Sequence, residues 1–428
     1  MRLIYKRQRH LSMNNIVEID NIKNKQKPIS NTHSKNNNKI SIENLIDKYQ
    51  PENNIYFSSP KRSILAKPPF ANLLGTNTKN LSQRISESFR FVKELGHDDS
   101  LIVGAIAFDT TKESYLRLST HYEHENLPSD EKPVITSHTN LLTDYHLQEN
   151  PSAEQFKAGV TEALFRFAKG DLDKVVLSRT LDITCKQKTD IKTFVKRLQN
   201  SNSNGYTFAI KLEDDATSPS RTLIGSSPEL LISRQGSKII ANPLAGSEPR
   251  SVDSQIDAER AQQLLVSKKD RREHALVITA VVHALAPFCK NLHVPDEPAL
   301  VSTPTMWHLS TLIEGELSDI KTSSIDVALA LHPTPAVCGF PRKAAKKAIQ
   351  EIENYDRGLF TGMVGWCDNS GDGEWVVTIR CAEVQDHFIR LYAGAGIVAE
   401  SNPEKELAET GAKFNTMLNA LGVHGETK

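Results

Sequence analysis

Ionisable side chains near the C-terminus are spaced so that a helix would bring them together. Glu406, Glu409 and Lys413 follow one another at intervals of three and four residues, so on an α-helix they share one face. Grouped carboxylates are the ligands that a hard divalent cation prefers. The same spacing is also typical of a solvated acidic helix face, and these three residues alone are compatible with either interpretation.

An arginine and a pair of glycines precede this predicted helix. Arg380 lies in residues 375–382, where dense β-branched residues predict a strand that is buried on at least one face. A buried guanidinium is costly unless an anion pairs with it. In the next predicted strand, residues 389–398, Gly394 and Gly396 leave main-chain N–H groups uncovered by side chains. With the carboxylates, these features suggest a site for a carboxylate ligand bound through a divalent cation.

A lysine and a glutamate farther upstream stand at the edges of apolar segments. Lys174 is at the start of the predicted strand 173–181, and Glu229 follows a Ser-Ser-Pro turn directly before an apolar run. A carboxyl group beside the core tends to have a raised pKa because desolvation disfavours its charged form, which suits an acid that must hold a proton near neutrality. A lone lysine in this position is more often a solvated strand end, and Glu229 could equally cap backbone N–H groups.

Two more segments could bind an anion or a metal ion. Gly246 and Ser247 follow a predicted strand and can offer N–H groups and a hydroxyl to an anion, although short Gly-Ser loops are common. Glu273 is predicted in the first turn of an apolar helix, close to buried packing, which makes it another candidate metal ligand. A carboxylate at a helix start also compensates the helix dipole without any ligand, so both interpretations of Glu273 stay open.

The elements that must position these residues alternate helices with hairpins instead of repeating βαβ units. This pattern predicts an α+β fold in which large, mainly antiparallel sheets are covered by outer helices. Residues 110–149 lack periodicity and are predicted to form a loop-rich connection. His332 precedes a proline at the end of a predicted helix, 325–331, so its ring is either presented at the end of that element or satisfied in the core.

Composition argues against several classes of partner. The 428 residues include 52 Lys plus Arg and 52 Asp plus Glu, so no global field attracts nucleic acid or an acidic membrane. No apolar run approaches the ~20 residues of a membrane span, and the basic N-terminus lacks the apolar region of a secretory signal. A small ligand or a protein partner is favoured instead.

Cysteine usage and N-terminal composition indicate the compartment and the domain limits. The five cysteines are scattered, with no Cys-x-x-Cys pair, which favours reduced thiols in the cytoplasm. Residues 1–44 are rich in Asn, Lys and Ser and are predicted to be a disordered tail. Residues 45–425 are long enough for one large core, and we expect them to form a single domain.

Seven motifs occur in one order along the chain. They are KVVLSR (174–179), SSPEL (226–230), PLAGS (243–247), KDRREH (269–274), HPTPA (332–336), TIR (378–380) and YAGAGIV (392–398). In these motifs the chain resembles the chorismate-using enzymes of menaquinone, siderophore and tryptophan biosynthesis, over roughly residues 152–421. The resemblance implies that the domain 45–425 is catalytic and has the same α+β fold.

Three further segments are similar to one branch of this family. They are PTMWHL (304–309), GWCD (365–368) and GEWVVTIRCA (373–382). They resemble the isochorismate synthases of catechol-siderophore pathways. This resemblance implies an isomerase that converts chorismate to isochorismate and feeds the synthesis of 2,3-dihydroxybenzoate.

The resemblance implies catalytic roles for two residues. Lys174 would be the general base that activates water for attack on ring carbon C2 of chorismate. Glu229 would be the acid that protonates the hydroxyl departing from C4 on the opposite side of the ring. Water is a poor nucleophile unless it loses a proton, and hydroxide is a poor leaving group unless it gains one. Lys174 can act as a base only if burial or nearby cations lower its pKa.

It also implies a metal ion and a set of ligand contacts. Mg²⁺ would be held by Glu273 and Glu409, with Glu406 close by or acting through water, and would bridge to the ring carboxylate. Arg380 and nearby N–H groups would receive the enolpyruvyl carboxylate, and His332 would face the ring near C4. The predicted substrate-binding residues are Gly246, Ser247, His332, Ala336, Phe360, Ile379, Arg380, Gly394, Gly396 and Lys413.

Three apolar positions favour a reaction that stops at isochorismate. Ala336, Phe360 and Ile379 stand where family members that eliminate pyruvate tend to have more polar or differently shaped residues. Small and apolar groups there would give less help in orienting the enolpyruvyl side chain for departure. The alternatives are a salicylate synthase, an isochorismate synthase serving menaquinone, and a chorismate-fold protein that acts only as a binding module.

The resemblance and the composition together predict one small-molecule partner. Chorismate is the expected small-molecule substrate, and neither nucleic acid nor a membrane is expected to bind. We expect a monomer in the cytoplasm, with at most a transient contact with the next enzyme of the pathway.

Overall fold

Alternating apolar residues build strands that are buried on both faces. In residues 101–106, Leu101 and Val103 pack into one core cluster, while Ile102 and Ile106 between and beyond them pack into another. Successive side chains of a strand point to opposite faces of its sheet, so each face of this strand meets its own core. The sequence therefore specifies a sheet that lies between two apolar layers.

Strands occur along almost the whole described part of the chain. The structure is a computed structural model that describes residues 44–73, 78–127, 140–212 and 220–423, so the predicted tail 1–44, apart from Asn44, and residues 424 and 425 of the predicted domain lie outside it. The strands are β1 Ile55–Ser58, β2 Arg62–Asn72, β3 Leu101–Ile106, β4 Tyr115–Asn126, β5 Tyr145–Asn150, β6 Lys174–Cys185, β7 Tyr206–Lys211, β8 Arg221–Ser227, β9 Leu230–Gln235, β10 Lys238–Asn242, β11 Leu244–Pro249, β12 Cys289–His293, β13 Ala299–Ser302, β14 Met306–Ser310, β15 Ile313–Leu317, β16 Gly339–Phe340, β17 Met363–Asp368, β18 Gly373–Val377, β19 Cys381–Gln385 and β20 Phe388–Ile397.

The helices of the same residues are mostly outer elements. They are α1 Leu45–Lys48, α2 Leu81–Glu94, α3 Ala153–Ala168, α4 Ile191–Ser201, α5 Ser254–Val266, α6 Lys268–Leu285, α7 Ser324–Leu331, α8 Arg342–Ile352 and α9 Pro403–Leu421, with a 3₁₀ turn at Ala286–Phe288. Within the ranges that the structure describes, none of them is both long and apolar enough to cross a membrane.

Across the described ranges, seventeen strands form one antiparallel sheet. Its pairing order is β5–β6–β20–β19–β8–β7–β1–β2–β4–β3–β17–β18–β9–β10–β15–β12, and β16 pairs with the start of β6 on the same side as β5. A small second sheet contains β11, β14 and β13. The large sheet is too long to stay open, and it bends so that its two halves pack on each other.

The inner layer between the two halves is apolar, and the helices cover the outside. Phe208 and Tyr392 from one half share a core cluster with Val103, Trp366 and Val376 from the other. Helices α2, α6 and α7 pack on the outer face of the second half, and α4 and α9 pack on the first. The predicted α+β class, with large antiparallel sheets and outer helices, is confirmed.

Local departures from the predicted elements affect the site. The predicted strand 375–382 is interrupted, because β18 ends at Val377 and β19 begins at Cys381, with Arg380 between them at a φ of 50°. The helix that contains Glu273 begins at Lys268, so this glutamate lies in its second turn and not in its first. Both charged residues, Arg380 in the interruption and Glu273 in the second helical turn, are buried.

The predicted loop at residues 110–149 is the clearest error in element type. Its described residues form all of β4 and all of β5 except Asn150. Large parts of these strands are only half-buried, so polar residues occur on both faces and the apolar alternation is weak.

Helix α9 begins with a side-chain cap that fixes its first turn. The side-chain oxygen of Asn402 accepts hydrogen bonds from the N–H groups of Glu404 at 3.0 Å and Lys405 at 3.2 Å. Pro403 occupies the first helical position, where a missing N–H group costs nothing. This cap sets the start of the helix that presents Glu406, Glu409 and Lys413.

We predict that Asn402→Ala lowers the free energy of unfolding by about 1 kcal/mol, because it leaves two helix N–H groups without their acceptor. The measurement is the urea unfolding midpoint. Asn402→Asp, which keeps the acceptor, should be close to the wild type. Asn415→Ala, at an exposed position in the middle of the same helix, is the matched control. Equal midpoints for Asn402→Ala and the wild type would contradict the cap.

Candidate active site

A cavity opens where the inner faces of the two half-sheets separate. It encloses about 610 Å³ of atom-free space, counting the part that is open to solvent. Twelve of the residues predicted for the site line it, although they come from distant parts of the chain. They are Glu229, Gly246, Ser247, Glu273, Ala336, Phe360, Ile379, Arg380, Gly394, Gly396, Glu409 and Lys413.

Three predicted site residues are not in the cavity wall. The Lys174 ammonium lies behind Glu273, with Nζ 2.9 Å from Oε1 of that carboxylate. Glu406 faces Lys269, whose Nζ is 3.0 Å from its Oε1. The prediction that His332 faces a ligand ring is not met by the structure, because its Nε2 lies 3.1 Å and 3.2 Å from the backbone carbonyls of residues 107 and 108. This ring is satisfied by the main chain, and burial lowers its pKa to about 4.

Glu229 is a buried carboxyl held between strands. It follows β8, its N–H donates to Oγ of Ser227 at 3.3 Å, and its carbonyl accepts from Val377 N at 3.1 Å. Burial raises the pKa of its carboxyl to about 7, against the opposing effect of a backbone hydrogen bond and of the cations Lys174 and Arg380. The group can therefore hold or release a proton close to neutral pH.

Lys174 and Glu273 form a buried ion pair that depends on a glycine. Their side chains are 0% and 8% exposed. Among the described residues, Lys174 Nζ has no partner with hydrogen-bond geometry, so the pair is held by charge rather than by an aligned bond. A Cβ at Gly396 would lie 2.1 Å from Oε1 of Glu273 and 3.2 Å from Cε of Lys174. Only glycine at this position leaves room for the carboxylate.

The two carboxylates of α9 have opposite surroundings. Burial would raise the pKa of Glu409, but Lys413 and Lys269 outweigh it and the pKa is lowered, with hydrogen bonds from Lys413 and, at 2.9 Å, from Ser247. Burial and the nearby Glu409 raise the pKa of Glu406 to about 7. The Glu409 carboxylate, which lines the cavity, is therefore ionised at neutral pH. The Glu406 carboxyl does not line the cavity and can hold a proton close to neutral pH.

Arg380 presents a cation that its surroundings leave incompletely paired. It is buried, and burial lowers its pKa to about 10. Its Nη2 donates to Nε2 of His308 at 3.2 Å, while Nε has no hydrogen-bond partner in the part of the chain that the structure describes. Burial lowers the pKa of His308 well below its usual value, so this partner is neutral and leaves the positive charge for a ligand. The geometry suits an anionic ligand.

Sequence reasoning missed several lining residues. His308 is one of them, although it belongs to the PTMWHL segment. Val176, Val337 and Thr361 also line the cavity, and their apolar or small side chains carry no chemical signal in the sequence. Their placement follows from strand pairing, which a spacing pattern cannot show.

The glycines of β20 line the cavity from within a strand. Residues 394–396 continue the strand in register with β6, within the predicted strand 389–398. Strand β19 pairs only with residues 388–391 of β20, so the remaining edge of β20 faces the cavity without that neighbour. At this edge, Nζ of Lys413 donates a hydrogen bond to the carbonyl of Gly394 at 2.8 Å.

The donor set fits Mg²⁺. Glu273 and Glu409 both line the cavity, and Oε2 of Glu406 is buried without a hydrogen-bond partner among the described residues. In the same residues, no three histidine, cysteine, aspartate or glutamate side chains converge as a ready-made metal cluster. Mg²⁺ usually keeps several waters and takes only one or two protein carboxylates, so two glutamates beside a ligand carboxylate satisfy its needs.

The fold and this cavity define the class of the protein. The profile of the family described as chorismate binding enzyme matches residues 78–422. The chain belongs to this family, as the sequence motifs indicated.

Individual relatives are similar over most of the chain. The isochorismate synthase DhbC of Bacillus subtilis is 49% identical over 383 residues, which cover 86% of this chain and 93% of that protein. The isochorismate synthase EntC of Escherichia coli K12 is 39% identical over 379 residues, covering 86% and 95%. A crystal structure of a putative 2,3-dihydroxybenzoate-specific isochorismate synthase, DhbC from Bacillus anthracis, superposes with a TM-score of 0.85 at 46% identity, covering 89% of this chain and all of that one.

The raised pKa of Glu229 predicts a pH dependence of stability. This pKa is 4.5 ordinarily and about 7 in the folded protein. Below pH 4.5 both folded and unfolded chains keep the proton. Between pH 4.5 and pH 7 the unfolded chain loses the proton that the folded chain keeps, so the free energy of unfolding falls as the pH rises and levels off above 7. At pH 8 burial of the charged form costs up to about 3 kcal/mol.

Glu229→Gln cannot ionise, so the variant should gain stability relative to the wild type between pH 5 and pH 8. Urea unfolding midpoints of both proteins at the two pH values measure this change. Glu314→Gln, at an exposed glutamate, is the control and should follow the wild type at both pH values. A Glu229→Gln variant that parallels the wild type would contradict the assigned pKa.

Proposed function

We propose that this protein is an isochorismate synthase, which adds water at C2 of chorismate and removes the hydroxyl from C4. The observation that carries the proposal is the pairing of Glu229, whose pKa is about 7, with a buried Lys174–Glu273 pair beside one anion-binding cavity. The names of the relatives support it, since a protein that is 49% identical over 383 residues is named an isochorismate synthase. The same observation argues against a protein that only binds chorismate, because both reacting groups are present.

Two proton transfers balance the reaction. Lys174 has the role of the general base, which takes a proton from water as the water oxygen bonds to C2. The ring double bonds shift, the bond between C4 and its oxygen breaks, and Glu229 gives its proton to the leaving hydroxyl, which departs as water. The pKa of about 7 lets Glu229 hold that proton near neutral pH.

Charged residues of the cavity position the two carboxylates of chorismate. Arg380 is the receptor for the enolpyruvyl carboxylate, because its guanidinium is buried beside the neutral His308. Lys413 adds positive charge on the side of α9. Glu273 and Glu409 would hold Mg²⁺, with Glu406 close by, and the ion would supply positive charge for the ring carboxylate.

The apolar wall supports isochorismate as the released product. Ala336, Phe360 and Ile379 line the cavity, and none of their side chains can donate a hydrogen bond to the enolpyruvyl group. Elimination of pyruvate would need that group to be oriented for departure. If salicylate were the main product, the protein would instead be a salicylate synthase.

The pathway and compartment are part of the proposal. Two of the similar proteins have names that contain DhbC, one of them with 2,3-dihydroxybenzoate specificity, which supports a role in catechol-siderophore synthesis over one in menaquinone synthesis. None of the five cysteines forms a disulfide, which supports the cytoplasm. We propose a monomer that meets the next enzyme of the pathway only transiently.

Purified protein incubated with chorismate and Mg²⁺ is predicted to form isochorismate, separated chromatographically from salicylate and pyruvate. Lys174→Ala and Glu229→Gln should each lower turnover by at least about 100-fold, the usual share of general acid–base catalysis, with the fold intact by circular dichroism. Glu374→Gln is the matched control, because burial also raises the pKa of Glu374 but this residue does not line the cavity. Wild-type turnover in either Lys174→Ala or Glu229→Gln would refute the mechanism.

Mg²⁺ is predicted to stabilise the folded protein through Glu273 and Glu409. At a concentration 100 times the Kd, binding to the folded state alone adds about 2.7 kcal/mol, which a thermal unfolding scan with and without Mg²⁺ detects. The increase in Tm should be lost in Glu273→Gln and in Glu409→Gln. Glu154→Gln, at a side chain that is 83% exposed, should retain it. No change in Tm for the wild type at millimolar Mg²⁺ would exclude these two residues as a metal site.

A further inference from the structure

A buried ion pair lies directly behind one wall of the cavity. Arg357 and Glu353 are 2% and 3% exposed. The carboxylate of Glu353 accepts from Nε of Arg357 at 2.8 Å and from its Nη2 at 2.5 Å, a bidentate arrangement. It also accepts from the N–H group of Ser178 at 2.8 Å and from its hydroxyl at 2.7 Å. The guanidinium is therefore fixed in one orientation.

The remaining donors of Arg357 reach three separate segments of the chain. Nη2 donates to the carbonyl of Val176 in β6 at 2.7 Å. Nη1 donates to the carbonyl of Val337, after α7, at 2.9 Å, and to Oγ1 of Thr361, before β17, at 3.3 Å. All three acceptor residues line the cavity. One side chain thus joins three pieces of the wall from behind without itself lining it.

The same segments contain two of the residues to which product choice is assigned. Ala336 precedes Val337, and Phe360 precedes Thr361. The Phe360 ring lies 5.9 Å from the guanidinium carbon of Arg357 and stacks on Tyr392 with a centroid distance of 5.0 Å. Movement of the guanidinium would therefore move the apolar surface that faces the ligand.

We propose that Arg357, held by Glu353, is a positioning residue that fixes this wall and thereby suppresses pyruvate elimination. The inference rests on the proposed function. Elimination would break the bond between C3 of isochorismate and the enolpyruvyl oxygen and move the hydrogen of C2 to the enolpyruvyl methylene carbon, leaving salicylate and pyruvate with no further reactant. A rigid wall keeps the side chain out of that alignment, since small misplacements change such rates strongly.

Arg357→Lys separates positioning from charge. The lysine ammonium still pairs with Glu353, so no buried carboxylate is left without a counter-ion. Its three donors sit on a single atom and cannot reproduce the planar fork that reaches two carbonyls, a hydroxyl and both carboxylate oxygens. The variant keeps the ion pair and loses the ties to the wall.

The experiment uses the full chain with chorismate and Mg²⁺ and measures isochorismate, salicylate and pyruvate in the same reaction. For Arg357→Lys we expect kcat/KM to fall about tenfold and the pyruvate-to-isochorismate ratio to rise about tenfold. A folded variant with the wild-type ratio overturns the inference, even if its Tm is lower, because a merely structural role would change stability alone. Should Arg357→Lys fail to fold, Glu353→Gln, which weakens the same clamp, must show the same rise in ratio.

Arg234→Lys is the matched control. Arg234 is 4% exposed and donates to Asp372 at 2.7 Å and to the carbonyls of Ile320 at 2.7 Å and Ser370 at 3.0 Å, none of which lines the cavity. It should keep the wild-type ratio, and an equal rise there would overturn the inference. A wild-type protein that forms no isochorismate refutes the proposed function and this inference together, whereas an unchanged ratio in Arg357→Lys refutes only the inference.

Discussion

The structure depends on the neutralisation of charges that apolar strands enclose. Lys174 and Glu273 neutralise each other, and Lys413 neutralises Glu409. Removing one member of such a pair would leave the other charge buried without a partner. This lowers the free energy of unfolding far more than breaking an exposed ion pair does. Arg380 is the exception, since its described partner is a neutral histidine. Among the described residues of the cavity wall, Glu273 and Glu409 are paired with lysines while Arg380 has no salt bridge to a carboxylate, so the site is prepared for an anionic ligand.

The sheet makes these pairs by register rather than by sequence proximity. Strand β20 runs antiparallel to β6 with Gly396 opposite Val176, beside the start of β6 where Lys174 stands. The missing Cβ at Gly396 makes the space that the Glu273 carboxylate occupies, although that glutamate comes from helix α6. Backbone pairing and a single small residue thus bring together charges that are 99 residues apart in the chain. The arrangement is rigid because both strands are paired along their length.

A buried ion pair outside the cavity also helps to fix the shape of the cavity wall. The pair formed by Glu353 and Arg357 is fully hydrogen-bonded, and its surplus donors end on the backbone of the cavity wall. Buried polar networks of this kind favour one arrangement of the surrounding chain when every member is satisfied. The lining residues that they hold are mostly apolar, so the selectivity of the wall comes from position and not from its own functional groups.

Residue patterns were sufficient to predict the fold class, the family and the acidic and basic side chains that line the cavity, apart from His308. Hairpins that alternate with helices indicated the antiparallel α+β fold, and helical spacing placed Glu406, Glu409 and Lys413 on one element. Which of these groups meet became clear only from the packing of the folded chain: it joined Lys174 to Glu273, turned His332 toward backbone carbonyls and placed Arg357 behind the wall. Spacing rules describe neighbours within one helix or strand, whereas contacts between distant strands depend on register and on the space that small residues leave.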